Sequence, residues 1–280
     1  MTFLDQYEGV IRFAVFAGVF VLMAVLEAVF PRKDRALPRA HRWLTNGGFV
    51  VIDTLALRLV LPVLAVGMAE IAARNGWGLF NSLALPFWLE VALAFVILDL
   101  LIYAQHVATH KIPVLWRLHK VHHADRDIDA TTGVRFHPVE IVLSMTYKLL
   151  CVVILGAPAL AVFLFEVVLN AAALFNHANV RLPSGVDRIA RRVIVTPDMH
   201  RVHHSVHRQE TDSNYGFFLS VWDRMFRTYI AEPRDGHDAM TIGLSDYQDG
   251  KPARLLWSLW LPFRRVPADA AGEGLSGRAD

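Results

Sequence analysis

The chain has 280 residues, of which 54% are hydrophobic and 19% charged, with a formal net charge of +2. That length allows one sizeable domain, more apolar than an ordinary soluble one, and the charge balance predicts no nucleic-acid partner. A single cysteine, Cys151, excludes a disulfide framework and a cysteine metal site, which leaves histidine as the soft-nitrogen ligand.

In chain order, the first predicted element is an apolar helix over 10–30, interrupted only by Arg12 and Glu27. Its start carries Asp5 and Glu8 rather than basic residues, and it runs into "PRKDRALPRAHR" without a small-residue cleavage site. It therefore reads as a retained anchor and not a signal peptide. Apolar stretches follow at 48–69 and 83–104, each long enough to span about 30 Å of hydrocarbon as a helix. Two shorter runs, 139–155 and 159–175, meet at "GAP" (156–158) and predict a helical hairpin across the bilayer. Arg32, Lys33, Arg35, Arg39 and Arg42 lie between the first two spans and place that loop in the cytoplasm. Five crossings with the N-terminus outside then bring both histidine-rich regions to the cytoplasmic face of the inner membrane. Near the end, "RLLWSLWLPFRR" (254–265) has basic ends and two tryptophans, as a segment lying on the membrane surface would. From about Pro267 the Ala- and Gly-rich tail predicts disorder.

The histidines fall in three clusters. "HVATH" gives His106 and His110 at i, i+4, and "HKVHH" gives His119, His122 and His123 at i, i+3, i+4. "MHRVHHSVH" places His200, His203, His204 and His207 at about 0°, 300°, 40° and 340° around a helix, all on one face. Thr196-Pro197-Asp198 upstream reads as N-cap, first-turn proline and early acid, so a helix is expected to start there. Two imidazoles one turn apart can hold one ion, and a triad over one turn can serve two adjacent ions. Eight imidazoles exceed the four of a structural zinc site and suit two metals with open positions, although imidazole alone does not name the metal. His41 and His237 lack ligand spacing and are expected to be ordinary surface or core residues.

These boxes resemble those of the fatty acid hydroxylase and sterol desaturase superfamily of membrane di-iron oxygenases. The resemblance covers most of 90–230 and extends to "TTGVRFHPVE", "FNHANV" and "DSNYGFFLSVWDRMFRTY". It implies an all-α integral membrane protein: a bundle of four to five transmembrane helices capped by cytoplasmic helices that carry a histidine-rich dimetal site. The division that follows is an N-terminal anchor over 1–90, a catalytic region over 91–232, and a C-terminal interfacial segment and tail over 233–280. Two departures stand out. Arg227 occupies a position where members often have glycine, which leaves the local turn open. Ala173 stands where relatives that hydroxylate the fatty acid chain carry a further histidine, which points away from a simple fatty acid 2-hydroxylase.

By this resemblance the metal ligands are His106, His110, His119, His122, His123, His200, His203 and His204, with His177 as a ninth. His207 is expected behind the ligands rather than among them, and His137 is open between a loop bond and a site role. Asp99, seven residues before His106, is expected to orient a ligand histidine or a basic group, the other reading being a structural pair with Arg or Lys. Trp222, Asp223 and Asn214 are candidates for shaping a substrate mouth. The implied cofactors are two irons, with O2 as cosubstrate and electrons from a ferredoxin- or cytochrome-type protein. The implied reaction is hydroxylation, desaturation or ether cleavage of a membrane lipid such as a fatty acyl, ether lipid or sterol-like chain. Competing classes are a membrane metal-binding or transport protein, which needs ligands within the spans, and a bis-histidine haem cytochrome, which needs facing histidines inside the bundle.

Overall fold

The structure, a computed structural model, describes residues 3–264. They are helical, and among them strand pairing is confined to three isolated bridges. Five segments are long and apolar enough to cross a membrane. Helix α1 (Phe3–Val29) is the first. The second is a broken pair, α2 (Arg39–Val60) and α3 (Ala65–Asn75). Helix α4 (Phe87–Lys111) is the third and leads directly into α5 (Pro113–His123). The expected hairpin is α6 (Pro138–Leu155) and α7 (Ala159–Asn176). Short helices make up the cap: α8 (Ser184–Ala190), α9 (Pro197–His203), α10 (Arg208–Thr211), α11 (Val221–Met225), α12 (Gly236–Ala239) and α13 (Leu255–Trp260).

Helix α7 is the central span, packed on α1, α3 and α4. Ala94, Leu98, Val152, Val162 and Phe165 fill the seam between α4, α6 and α7, while Phe13, Leu59 and Ile154 are more than two-thirds exposed on outward faces. That distribution is the one a bilayer solvates. At the end away from the cap, the α6–α7 turn is locked onto the loop after α3. Leu79 N–H donates to the Ile154 carbonyl at 3.0 Å, and Gly156 ends α6 with φ +62°.

At the other end, polar contacts tie the spans to the cap. Glu27 near the end of α1 accepts from the Ala130 and Asn179 backbones at 2.7 and 3.2 Å. Arg42 is fully buried and grips Asp125 bidentately at 2.7 and 2.8 Å, with Asp129 at 2.5 Å. Burial would raise the Asp125 carboxyl, yet the Arg42 guanidinium beside it holds it down to about 2. These acids belong to the segment that links α5 to α6, so the cap hangs from α2.

Two expectations are corrected here. The stretch 48–69 is not one continuous helix. Pro62 lacks the N–H needed to propagate it, and the chain breaks at 61–64. The helix also begins at Arg39, before the apolar run, because Arg42, Thr45 and Asn46 bury against the cap. Arg39 and Arg42 are thus helical residues with carboxylate partners rather than free loop charges. Residues 254–264 lie along the cap's flank. Leu261 is buried against α2 and α5, while Leu256 and Trp260 face outward. The tail expected from Pro267 lies outside the described residues.

Gly78 (φ +94°) faces Gly156, and a Cβ added to it would fall 2.1 Å from the Gly156 nitrogen. Gly78→Ala is therefore expected to lower stability by at least ~2 kcal/mol, read as a lower melting temperature in detergent. Arg42→Met strands two buried carboxylates and should cost ~3–5 kcal/mol, or prevent folding, in the same assay.

Candidate metal centre

Each histidine owes its place to a local rule. His106 and His110 lie one turn apart at the cap end of α4. The chain then turns at Ile112-Pro113, where proline starts α5 and delivers His119, His122 and His123. His177 caps the C-terminus of α7. Helix α9 begins as the sequence predicts: Thr196 Oγ1 accepts from Met199 N–H at 3.4 Å and Pro197 occupies the first turn. It ends at His203, with His204 as C-cap, so the predicted helical face does not reach His207. His207 instead starts α10, partly exposed, 2.5 Å from Asp235, and stands outside the cluster.

Nine buried imidazoles converge and sort into two groups. His106, His110, His119, His123 and His203 form one, and His122, His177, His200 and His204 the other. Within each group one nitrogen per ring lies within 4.8 Å of all the others. The two HxxHH boxes divide reciprocally. Helix α5 sends its i, i+4 pair to the first group and its i+3 ring to the second. Helix α9 sends its i, i+4 pair to the second group and its i+3 ring to the first.

Hydrogen bonds outside the cluster fix the tautomers. Nδ1 of His106 lies 2.7 Å from the Tyr215 carbonyl, that of His203 2.6 Å from Ser213, that of His177 2.7 Å from Ala173, and that of His122 3.2 Å from Arg135. A carbonyl can only accept, so these rings carry the proton on Nδ1 and present bare Nε2 lone pairs inward. His119 donates from Nδ1 to Glu140 at 2.6 Å. As a result two pairs of bare nitrogens face each other, His106 with His119 at 3.2 Å and His122 with His177 at 3.1 Å. Among the described residues, further ring nitrogens of His110, His123, His200, His203 and His204 are buried without a hydrogen-bond partner. Burial, reinforced by the neighbouring rings, holds His122, His123, His200 and His204 well below the usual imidazole range. Burial also takes His177 down to about 4 and His203 to about 3 against the pull of their backbone acceptors. Neutral, inward-facing, desolvated lone pairs are what divalent cations bind, so the donor set fits two metal ions.

Several supports were not legible. Glu140 stands in the quoted "FHPVE", and an acid opening a membrane span is the signal that singles it out. The Ser213 and Tyr215 carbonyls have no sequence signature. Asp223 positions the second: fully buried, it accepts from the Tyr215 and Gly216 backbones at 2.8 and 2.9 Å and from Thr228 at 2.7 Å. Asn214, at φ +48°, joins the Met199 carbonyl to the Ile230 backbone. Neither these two nor Trp222 shapes a mouth, because all three are buried in the cap's framework. Asp99 likewise orients no histidine and pairs with no Arg or Lys. It accepts from Trp222 Nε1 at 2.7 Å and Leu219 N–H at 3.2 Å. Both nitrogens of His137 are engaged in loop bonds, Nδ1 accepting from Val139 N–H and Nε2 donating to the Leu259 carbonyl. His41 is exposed, and His237 is buried 3.1 Å from Glu232. Arg227 keeps the turn that glycine would favour, at φ +59°.

A cavity of about 590 Å³ reaches the centre from within the bundle. His106, His119, Gly133, Phe136 and Ala173 line its histidine end, and Leu57, Leu64 and Gly67 flank the break between α2 and α3. This volume is in the range of lipid- and drug-sized ligand sites.

The fold and this centre define a class: helical membrane proteins with a nine-histidine, two-group site at one end of the bundle. Residues 91–228 match the fatty acid hydroxylase family, and the chain belongs to that superfamily. It is 28% identical to the ornithine lipid hydroxylase of Rhizobium tropici over 261 residues, 90% of this chain and 75% of that one. Over 180 residues it is 25% identical to human alkylglycerol monooxygenase, covering 62% of this chain but 38% of the human protein. Mouse cholesterol 25-hydroxylase is 26% identical over 145 residues, 51% of this chain and 48% of its own length. No solved structure matches the chain.

Removing the His119 anchor with Glu140→Ala should weaken ferrous binding roughly ten- to hundred-fold in an anaerobic titration. Asp99→Ala strands the Trp222 and Leu219 donors and touches no histidine. It is expected to lower stability by ~1–3 kcal/mol and leave that affinity unchanged.

Proposed function

We propose that this protein is an O2-dependent di-iron oxygenase that hydroxylates a C–H bond of a membrane lipid. The observation that carries the reading is the pair of imidazole groups with lone pairs turned inward at the end of a largely apolar cavity. His106, His110, His119, His123 and His203 would hold one iron, and His122, His177, His200 and His204 the other. When bound, the two irons supply activation of dioxygen for insertion into an unactivated C–H bond. Hydroxylation is favoured over desaturation because the named relatives are hydroxylases and monooxygenases.

The protein's own contributions follow from its geometry. The carbonyls of Arg135, Ala173, Ser213 and Tyr215, with the Glu140 carboxylate, keep the Nδ1 protons outward through turnover. Phe136, stacked on His122 with ring centroids 4.8 Å apart, and Phe217, 5.0 Å from His106, wall the centre from water. Leu57, Ile102, Met145 and Leu169 guide an alkyl chain to His106 and His119 without its leaving the bilayer. Two electrons from a ferredoxin- or cytochrome-type protein and two protons balance the reaction, giving an alcohol and water. Arg32, Lys33 and Arg35 flank the cap end of α1 and support a cytoplasmic site on the inner membrane. Catalysis is assigned to 91–232, with 1–90 as anchor and 233–264 as interfacial support.

Purified protein is expected to carry two irons per chain by elemental analysis and to show no haem absorbance. His200→Ala and His123→Ala should each lose iron and abolish the lipid product detected by mass spectrometry in a complemented deletion strain. A lipid profile unchanged between wild type and both variants would sink the assignment.

A further inference from the structure

The mechanism uses the histidine end of the cavity and leaves its other end without a task. There Glu166 on α7 accepts from Arg12 Nη2 at 2.8 Å and from Lys148 Nζ at 2.9 Å, and Arg12 Nε donates to Glu8 at 2.8 Å. All four residues line the cavity. Lys148 lies about ten residues, roughly 15 Å, into α6 from the cap, so the cluster sits at the depth of the hydrocarbon chains. Ionised side chains at that depth are costly and are kept where they face each other or a cavity. Apolar side chains of similar volume would join the helices at least as stably. Helix packing alone therefore does not account for the cluster.

A polar strip joins it to the histidines. Glu140, Ser144 and Lys148 follow one another at four-residue steps on a single face of α6, and Asn170 and Gln105 add to the strip from α7 and α4. Among the described residues, the side chains of Ser144, Asn170 and Gln105 take no hydrogen bond from the protein, and Gln105 Oε1 is buried. The remaining walls are apolar, among them Leu57, Ile102, Met145 and Phe217. A bare hydrocarbon would leave the strip unsatisfied, whereas an amphiphile would use both surfaces. Charge narrows the choice. Arg12 and Lys148 are matched by Glu8 and Glu166, so at this end of the cavity, away from Glu140, a ligand group with net charge would find no counter-charge. Hydroxyls, amides or an internally balanced zwitterion would find donors and acceptors of both kinds.

Resting on the substrate role given to this cavity, we propose that the Arg12–Lys148–Glu166 cluster seats a net-neutral, hydrogen-bonding group of the lipid. Its distance from the histidines selects the carbon presented to them. From Glu140, which touches His119, to Lys148 is eight residues of α6, or about 12 Å, and that interval is the ruler.

The test is equilibrium binding to the full chain in nanodiscs, by competition against radiolabelled 1-O-hexadecylglycerol. Unlabelled hexadecylglycerol, palmitate and hexadecane are the competitors. Hexadecylglycerol is expected to compete about tenfold or more better than either of the others. In the Lys148→Met/Glu166→Met double variant, which keeps the Arg12–Glu8 pair and should melt no lower than wild type, the three should fall within about twofold of one another. Equal competition on the wild type, a preference for palmitate, or a folded double variant that retains the preference would each overturn the proposal. The wild-type comparison decides even if the variant does not fold. Binding is read without turnover, so a chain found to lack two irons leaves this result intact and the two failures separable.

Discussion

The structure turns on where the protons of five of the nine clustered imidazoles are kept. Four backbone carbonyls and one carboxylate hold Nδ1 protons on the outside of the cluster, and every such bond forces a bare Nε2 to the inside. Bare nitrogens about 3 Å apart repel one another, so their placement depends on rings that are fixed from behind. Much of the cap serves that fixation. Asp223 holds the Tyr215 and Gly216 backbones. Gly216 lies so close that a Cβ there would fall 2.8 Å from the Asp223 carboxylate, and the Tyr215 carbonyl then orients His106. An acid on α11 thus sets a ring on α4 through a turn of backbone.

The spans hold the cap by a different physics. Arg42, Asp125 and Asp129 are charged groups with almost no access to water, and their desolvation is offset by a bidentate bond and a third carboxylate contact. Arg135 repeats the device with neutral partners. Its guanidinium donates to the Val121 and Pro252 carbonyls, Asn46 and Ser258, and burial lowers it to about 10. Its own carbonyl takes the His122 proton. One residue therefore joins α2, α5, the segment ahead of α13 and a ring of the centre. Helix α13 is coupled to the His122 ring through this single side chain.

The spacing of the histidines was legible because i, i+3, i+4 is a local property of a helix, and the five candidate spans were legible because apolar length is. What escaped depended on chain segments meeting. His122 and His123 are adjacent in sequence yet belong to different groups, because successive side chains on a helix point about 100° apart and meet different neighbours. Arg42 read as a loop charge because its acids lie more than 80 residues away. Asp99 read as an orienting acid because its indole partner is 123 residues on. His207 was placed on the histidine face because periodicity does not say where a helix stops, and α9 stops at His203. The carbonyl acceptors had no signal at all, since every residue carries one.

Helix α9 shows why the centre belongs to the cap more than to the spans. Seven residues are too few to stand as an isolated helix in water. Its order comes from the Thr196 cap, from Asn214 binding the Met199 carbonyl, and from the Ser213 carbonyl binding His203. The same contacts set the backbone that carries His200, His203 and His204, so ordering α9 also arranges these rings. The spans supply something else. They bring α4 and α7 to one face and leave between them a cavity whose wall ends on His106 and His119. Folding the bundle shapes the cavity that reaches the site, and folding the cap makes the site. Arg42 and Arg135 are the residues at which each process requires the other.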